Sequence, residues 1–263
     1  MTYYADLYLT YVRCVLKTWS QYRADFIITF VASILHVGSQ LVFLTLIFSN
    51  IRQLEGWSFN EMLLIWGLMG VAGSLANTFL DVPHRILGYI QSGELDRLLV
   101  HPPAPLFQIA GEGGIRLQGL SGAVIGGTAV FVALSALRDQ LPWWTMLYLP
   151  ATIVSAALIY FSVQLLMASL TFWFINTFSL MQTMSWMNQF GQYPVTILAR
   201  PLQFVFTWVL PYAMMSFYPV AFLLRGDEYR FYGLLAPIMG YVFLGLALSV
   251  WHIAIGHYQS TGS

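Results

Sequence analysis

Long apolar runs separated by short polar segments dominate the sequence. A transmembrane helix needs about 20 consecutive, mainly apolar residues. Runs of that length predict an all-α polytopic membrane protein with six transmembrane helices. Their predicted bounds are Phe26 to Phe48, Met62 to Leu80, Leu117 to Leu137, Leu147 to Phe174, Leu180 to Ala199 and Phe231 to Gly256.

One further apolar segment, residues 201–224, is long enough to span but contains Pro211 and Pro219. A proline inside a helix removes a backbone hydrogen bond and clashes with the preceding turn, which costs about 3 kcal/mol in a soluble host. Two short helices folded back on each other avoid that cost. We therefore predict an external reentrant hairpin before the last span, with a kinked seventh span as the alternative.

The distribution of basic residues bears on this choice, because short cytoplasmic loops carry an excess of arginine and lysine. Six spans place Arg13, Lys17, Arg23, Arg85, Arg97 and Arg116 inside, and Arg52, Arg138, Arg200, Arg225 and Arg230 outside. A seventh span would move Arg225 and Arg230 inside. The charge rule therefore favours the seventh span, whereas the prolines favour the hairpin.

Residues 1–25 form an amphipathic pattern of a different kind. One stripe at helical spacing is aromatic and apolar, and a second stripe that includes Arg13 and Lys17 is polar. This pattern predicts an interfacial helix with its basic side toward the cytoplasm. A cap on the bundle that faces water is the alternative.

The longest polar segment between the predicted spans is residues 81–105. Asp81 followed by Pro83 is a helix-start signal, and Gly93 interrupts the apolar periodicity. Residues 94–100 then predict a second short amphipathic helix with a mixed-charge face. Such a helix is suited to docking in a groove on another protein; an interfacial loop without a partner is the alternative.

The fifth predicted span carries a polar stripe inside the membrane. Its members fall at intervals of three and four and so would share one helix face: Gln182, Ser185, Gln189, Gln192 and Thr196. A stripe of this kind does not face lipid comfortably. It predicts either interhelical hydrogen bonds or one wall of a polar translocation path, and we favour the path.

Glu112 and Arg116 are four residues apart, the spacing of a same-face ion pair on a helix. Charges at the centre of a bilayer cost about 2.5 to 3.5 kcal/mol each on the insertion scale. The pair is therefore expected at the cytoplasmic boundary, as a structural pair or as a cytoplasmic gate.

Composition agrees with a membrane protein, since 58% of the residues are apolar and 8% are charged. The formal net charge is zero, which gives no global field for nucleic acid. The one lysine, Lys17, lies outside any phosphate-binding loop of the GxxxxGK[ST] type. No motif of a hydrolase or of a metal site is present in the sequence, so we expect a chain that is not itself an enzyme and holds no metal.

The segment GELDRLLVHPPAPLFQ, from Gly93 to Gln108, resembles the permease subunits of type-two ABC transporters, in the small single-domain bacterial branch whose ATPase is a separate chain. The stretch LPYAMMSFYPVAFLLRG, from Leu210 to Gly226, and the closing residues from Trp251 to Ser263 are similar to the same branch. The resemblance implies one permease domain over residues 1–263, with a cytoplasmic N-terminus in a bacterial inner membrane.

The resemblance also implies a coupling helix at residues 83–99 that rests on separate ATPase subunits, which bind the ATP and Mg. The recurring loop pattern matches Gly93, Glu94, Leu95, Asp96 and Arg97, with Arg85 on the same coupling segment. A second permease, identical or homologous, would face this one across the path. The cofactors then belong to the partner, and the permease itself contacts lipid and no nucleic acid.

These features predict the membrane subunit of an ATP-driven exporter. Two alternatives come from other classes: a membrane scaffold or assembly factor that moves nothing, and a secondary transporter. The secondary transporter is disfavoured because the acidic residues Glu61, Asp81 and Glu112 lie at the edges of spans.

Overall fold

The computed structural model describes residues 23–113, 116, 119–174 and 177–258, with Thr10, Arg13 and Lys17 as separate positions. The predicted interfacial helix therefore lies largely outside the described residues.

Within the described part the regular structure is helical, apart from one isolated bridge between Leu54 and Trp57. The α-helices are α1 Arg23–Asn50, α2 Phe59–Phe79, α3 Pro83–Gln91, α4 Leu95–Leu99, α5 Pro105–Gly113, α6 Leu120–Ala136, α7 Thr145–Ser169, α8 Phe178–Met187, α9 Arg200–Phe204, α10 Phe217–Arg225 and α11 Arg230–Ile255.

Four helical segments are long and apolar enough to cross a membrane: Ile27–Asn50, Phe59–Gln91, Thr145–Phe172 and Phe217–Ile255. They contain α1, α2, α7 and α11, which match the first, second, fourth and sixth predicted spans. The helix at the third predicted span, α6, has 17 residues. At 1.5 Å per residue it is about 26 Å long, somewhat less than a typical hydrocarbon core.

The fifth predicted span is not one helix. The α-helix α8 ends at Met187 after 10 residues, and the chain continues in 3₁₀ turns at Asn188–Gln192 and Val195–Ile197. Pro194 lacks a backbone donor and restricts the residue before it. Gly191 lies against Met69 and Tyr212, so that an added Cβ would meet the Met69 Cε at 2.9 Å. A continuous helix from Leu180 to Ala199 was therefore a wrong prediction.

Different segments of the chain lie at the two ends of the bundle. One end, here called the Trp57 end, holds residues 51–58 and 225–230, because the Arg225 guanidinium donates to the Gly56 carbonyl at 2.8 Å and lies 4.3 Å from the Trp57 ring centre. The other, the Asp81 end, holds residues 81–113 and 252–258. The helix α2 runs from the first end to the second.

Residues 200–225 form two short helices joined by a tight connection. The helix α9 continues as a π turn at Val205–Val209, and α10 follows a 3₁₀ turn at Tyr212–Met214. Tyr212 is buried, and its hydroxyl donates to the Met184 carbonyl of α8 at 3.1 Å. The connection thus lies inside the bundle, whereas α10 ends at Arg225 on the Trp57 end.

The long helices approach closely where small residues face each other. The Ser155 hydroxyl of α7 donates to the Ala236 carbonyl at 2.6 Å and accepts from the Gly240 backbone N–H at 2.8 Å. A Cβ at Gly240 would clash with the Ser155 carbonyl oxygen. Small residues allow such approach in membrane bundles, where apolar contact alone gives little preference for protein over lipid.

Two apolar clusters stabilise the described part of the bundle. The larger joins α2, α6 and α7 with residues 206–223. The smaller lies at the Asp81 end, where Leu95 and Leu98 of α4 and Ile86 of α3 are fully buried against Leu165 of α7 and Trp251 of α11. Burial of a leucine or isoleucine side chain contributes about 1.5 to 3 kcal/mol, so the short helices α3 and α4 are held to the ends of the long ones.

Candidate functional site

The α3–α4 hairpin, residues 83–100, is built from the predicted coupling segment. Gly93 turns the chain with a φ of +73°, a conformation that glycine adopts without strain. Leu95 is fully buried, so it anchors the hairpin, whereas Glu94 and Arg97 are exposed. Leu99 and Val100 are exposed as well, Val100 by 81%. The outer face of the hairpin therefore combines two charges with two apolar side chains.

Glu112 ties α5 to this hairpin. Its carboxylate accepts hydrogen bonds from the Arg97 guanidinium at 3.0 and 3.2 Å and from the Tyr89 hydroxyl at 2.6 Å. Burial, followed by the hydrogen bond and the charge of Glu112, raises the pKa of Tyr89 from 10.0 to about 12. Sequence spacing did not predict this contact, because the partners lie 15 and 23 residues away.

Arg116 pairs with Asp81 instead of Glu112, at 2.7 Å between Nη1 and Oδ2. The predicted Glu112–Arg116 pair is thus corrected: Glu112 pairs with Arg97, and Arg116 is not part of a helix. The Asp81 side chain is 7% exposed and also lies 3.0 Å from His84 and 3.9 Å from Arg85. Arg85 is therefore part of a charge cluster that joins the end of α2 to α3 and to the start of α6.

The predicted polar stripe is divided by the end of α8. Ser185 accepts a hydrogen bond from the Gln164 amide at 2.7 Å, within a buried network around the Tyr160 hydroxyl. Gln182 is half-buried on the same helix, and Thr196 is exposed beyond Pro194. Gln189 and Gln192 instead line a pocket of about 300 Å³ together with Ser39 and Gln40 of α1. Only part of the stripe therefore faces a cavity.

The helix α1 also has a polar face, which the sequence analysis did not identify. Thr29, Ser33, His36 and Gln40 are spaced by four, three and four residues and so share one side of the helix. The Gln192 amide donates to Gln40 Oε1 at 3.4 Å. Thr29, Ser33 and His36 line a second cavity, of about 640 Å³, between α1, α2 and the start of α6. The spacing was a detectable signal inside a run that is otherwise apolar.

A third cavity lies beside the α3–α4 hairpin. It has a volume of about 930 Å³ and is bounded by Leu99 and Pro102 on one side and by Trp251 and His252 of α11 on the other. The exposed Val100 side chain lies next to Leu99 in the chain. The Asp81 end thus has a groove beside an exposed hairpin, and a protein partner can dock on such a surface.

Four long apolar helices, with polar side chains turned toward cavities between them, define a multi-pass α-helical membrane protein. Over residues 34–262 the sequence matches the family described as ABC-2 family transporter protein. The chain belongs to this family and is a membrane permease of an ABC transporter, as the resemblance predicted. No curated protein and no solved structure matches the chain.

Proposed function

We propose that this chain is the membrane subunit of an ATP-driven exporter, bound at its Asp81 end to separate ATPase subunits in the cytoplasm. The observation that carries the proposal is the construction of the α3–α4 hairpin. Its inner side shares one apolar cluster with the ends of α7 and α11, while its outer face is exposed. A force on the outer face would therefore be transmitted directly to two long helices.

The same proposal implies six crossings with a reentrant pair at residues 200–225. Its support is the contact of Arg225 with Gly56 and Trp57, since a seventh crossing would carry Arg225 to the opposite end of α2. The buried Tyr212 would lie at the deepest point of the reentrant pair. The third and fifth crossings would be α6 and α8 with its 3₁₀ extension.

Cysteine labelling tests this topology. In a Cys14→Ser background, Asp227→Cys introduces a thiol where the side chain is exposed at the Trp57 end. A membrane-impermeant maleimide should label it in intact cells. The matched variant Gln91→Cys, exposed at the Asp81 end, should react only after permeabilisation. Labelling of Asp227→Cys only after permeabilisation would support seven crossings.

The translocation path in this proposal runs along the polar face of α1 and past Gln189 and Gln192. Two observations support it: these residues border two cavities that lie against α1, and α1 itself is lightly covered by the rest of the chain. A second permease, identical or homologous, would complete the path on the open side. The direction would be outward, as in the exporters that the sequence resembles.

Co-purification with the ATPase tests the coupling role. The tagged chain, isolated from native membranes, should carry vanadate-sensitive ATP hydrolysis. Glu94→Arg reverses a charge on the outer face of the hairpin and should lower that activity in the eluate. Asp139→Arg, an exposed site between α6 and α7, is the matched control and should leave it unchanged. Wild-type protein without any accompanying ATP hydrolysis would contradict the proposal and favour a scaffold.

A further inference from the structure

The cavity between α1, α2 and the start of α6 has a composition that points to a particular ligand. It lies in the half of the bundle nearer the Asp81 end, because its walls include Asn77 near the end of α2 and Arg116 just before α6. Thr29, Ser33 and Ser121 add hydroxyl groups from the other walls. Its volume of about 640 Å³ lies within the range of small-molecule sites in proteins.

The charge around this cavity is positive. Among the described residues that line it there is no carboxylate, whereas Arg116 is 53% exposed. Its partner Asp81 lies behind it, 7% exposed, and also faces Arg85. Of the described residues that line the cavity, Arg116 carries a formal positive charge and none carries a formal negative charge. A guanidinium has five N–H donors, and among the residues that the structure describes the Arg116 side chain pairs with Asp81 at 2.7 Å, which leaves donors for an anion.

The exposed side of α1 next to the cavity is apolar. Ile28 and Leu35 of α1 are each 68% exposed and flank the polar residues Thr29, Ser33 and His36 on the same helix. A molecule with its head against Arg116 and the hydroxyls could therefore lay an apolar tail along α1 without leaving the hydrocarbon region. Arginine suits phosphate and carboxylate groups because its planar fork matches their oxygens.

We propose that this cavity binds an anionic amphiphile, with a phosphate or carboxylate head at Arg116 and a tail along the outer side of α1. We take this amphiphile to be the class of molecule that the permease exports, and this step rests on the proposed function. Binding itself requires neither the ATPase nor transport, so it is measurable separately.

The test uses the purified full chain in detergent, with dioctanoyl phosphatidic acid as the probe and native mass spectrometry to obtain the Kd. Ser33→Phe fills the cavity and leaves the Asp81 pairs in place, and Arg116→Gln removes the charge. Each should weaken binding by about tenfold or more. Leu246→Phe on the exposed side of α11 and Arg138→Gln, exposed between α6 and α7, are the matched controls and should bind as the wild type does.

Two further ligands test whether the site selects an anionic head group and requires an apolar tail. Dioctanoyl phosphatidylcholine should bind at least about tenfold more weakly than the phosphatidic acid, and excess inorganic phosphate should not displace the probe. Equal binding of both lipids, equal binding by all four variants, or displacement by phosphate alone would overturn the proposal. If binding behaves as expected but co-purified ATP hydrolysis is absent, the site stands and the exporter function fails.

Discussion

The helices α1 and α2 are both long and apolar, yet they have opposite environments. In an 18-residue apolar stretch of the span that contains α2, 61% of the residues are buried within the chain. In the corresponding stretch of α1, 6% are buried. The helix α2 approaches α6 closely, since an added Cβ at Gly126 would meet the Gly67 carbonyl oxygen at 2.9 Å. Hydropathy alone therefore does not separate a helix buried inside the bundle from one that the rest of the chain leaves exposed.

The largest effect is expected from a bulky residue in the tightly packed part. Gly240→Leu places a side chain where even a Cβ would meet the Ser155 backbone, so α7 and α11 must separate. We expect a loss of about 3 kcal/mol or more in the free energy of unfolding, measured by thermal unfolding in detergent. Gly38→Leu in α1, where a Cβ meets nothing within 4 Å, is the control. Equal stability of the two variants would remove the distinction between the tightly packed helices of the bundle and the exposed helix α1.

A somewhat smaller effect is expected at the α3–α4 hairpin. Leu95→Ala removes a fully buried side chain from the cluster that joins the hairpin to α7 and α11. Such truncations cost about 2 to 5 kcal/mol, and we expect the lower end because a short hairpin can partly close the space. Leu99→Ala, at a side chain that is 42% exposed, should have little effect on unfolding. A large loss from Leu99→Ala alone would mean that the outer face, too, is structural.

Polar positions facing α1 should affect transport more than stability. The double variant Gln189→Leu and Gln192→Leu removes amides from the pocket shared with Gln40. We expect ATP-dependent uptake of fluorescent amphiphiles into inverted vesicles to fall about tenfold, equivalent to about 1.4 kcal/mol, with little change in thermal unfolding. Thr183→Leu, on an exposed part of α8, is the control. Unchanged uptake would mean that the translocation path does not pass Gln189 and Gln192.

The smallest effect concerns pH at the Asp81 end. The pKa of Tyr89 is raised in the folded chain to about 12, above its ordinary value of 10.0. The neutral phenol therefore stabilises the fold fully below pH 10, and this contribution is lost as the pH rises toward 12. Tyr89→Phe should make thermal unfolding less dependent on pH in that window. An unchanged slope would show that the titration of Tyr89 does not contribute to stability in this window.

Much of the fold follows from local pattern. Apolar runs located α1, α2, α7 and α11, and the Gly93 break separated α3 from α4. The sequence did not predict the end of α8, because that depends on Gly191 fitting between Met69 and Tyr212. Nor did it predict the partners of Glu112 and Arg116, which are distant in the sequence. The polar face of α1 was present in the residue spacing, but only its position beside cavities distinguishes it from ordinary helix contacts.

The helix α2 carries an acidic residue at each of its two ends. Glu61 in its first turn lies 3.8 Å from Arg225, and Asp81, just past its last residue, pairs with Arg116. A change in the tilt of α2 would have to lengthen at least one of these pairs. For spectroscopic distance measurements, α2 is therefore a suitable fixed reference. A second probe on α1 would report the movement of α1 relative to α2.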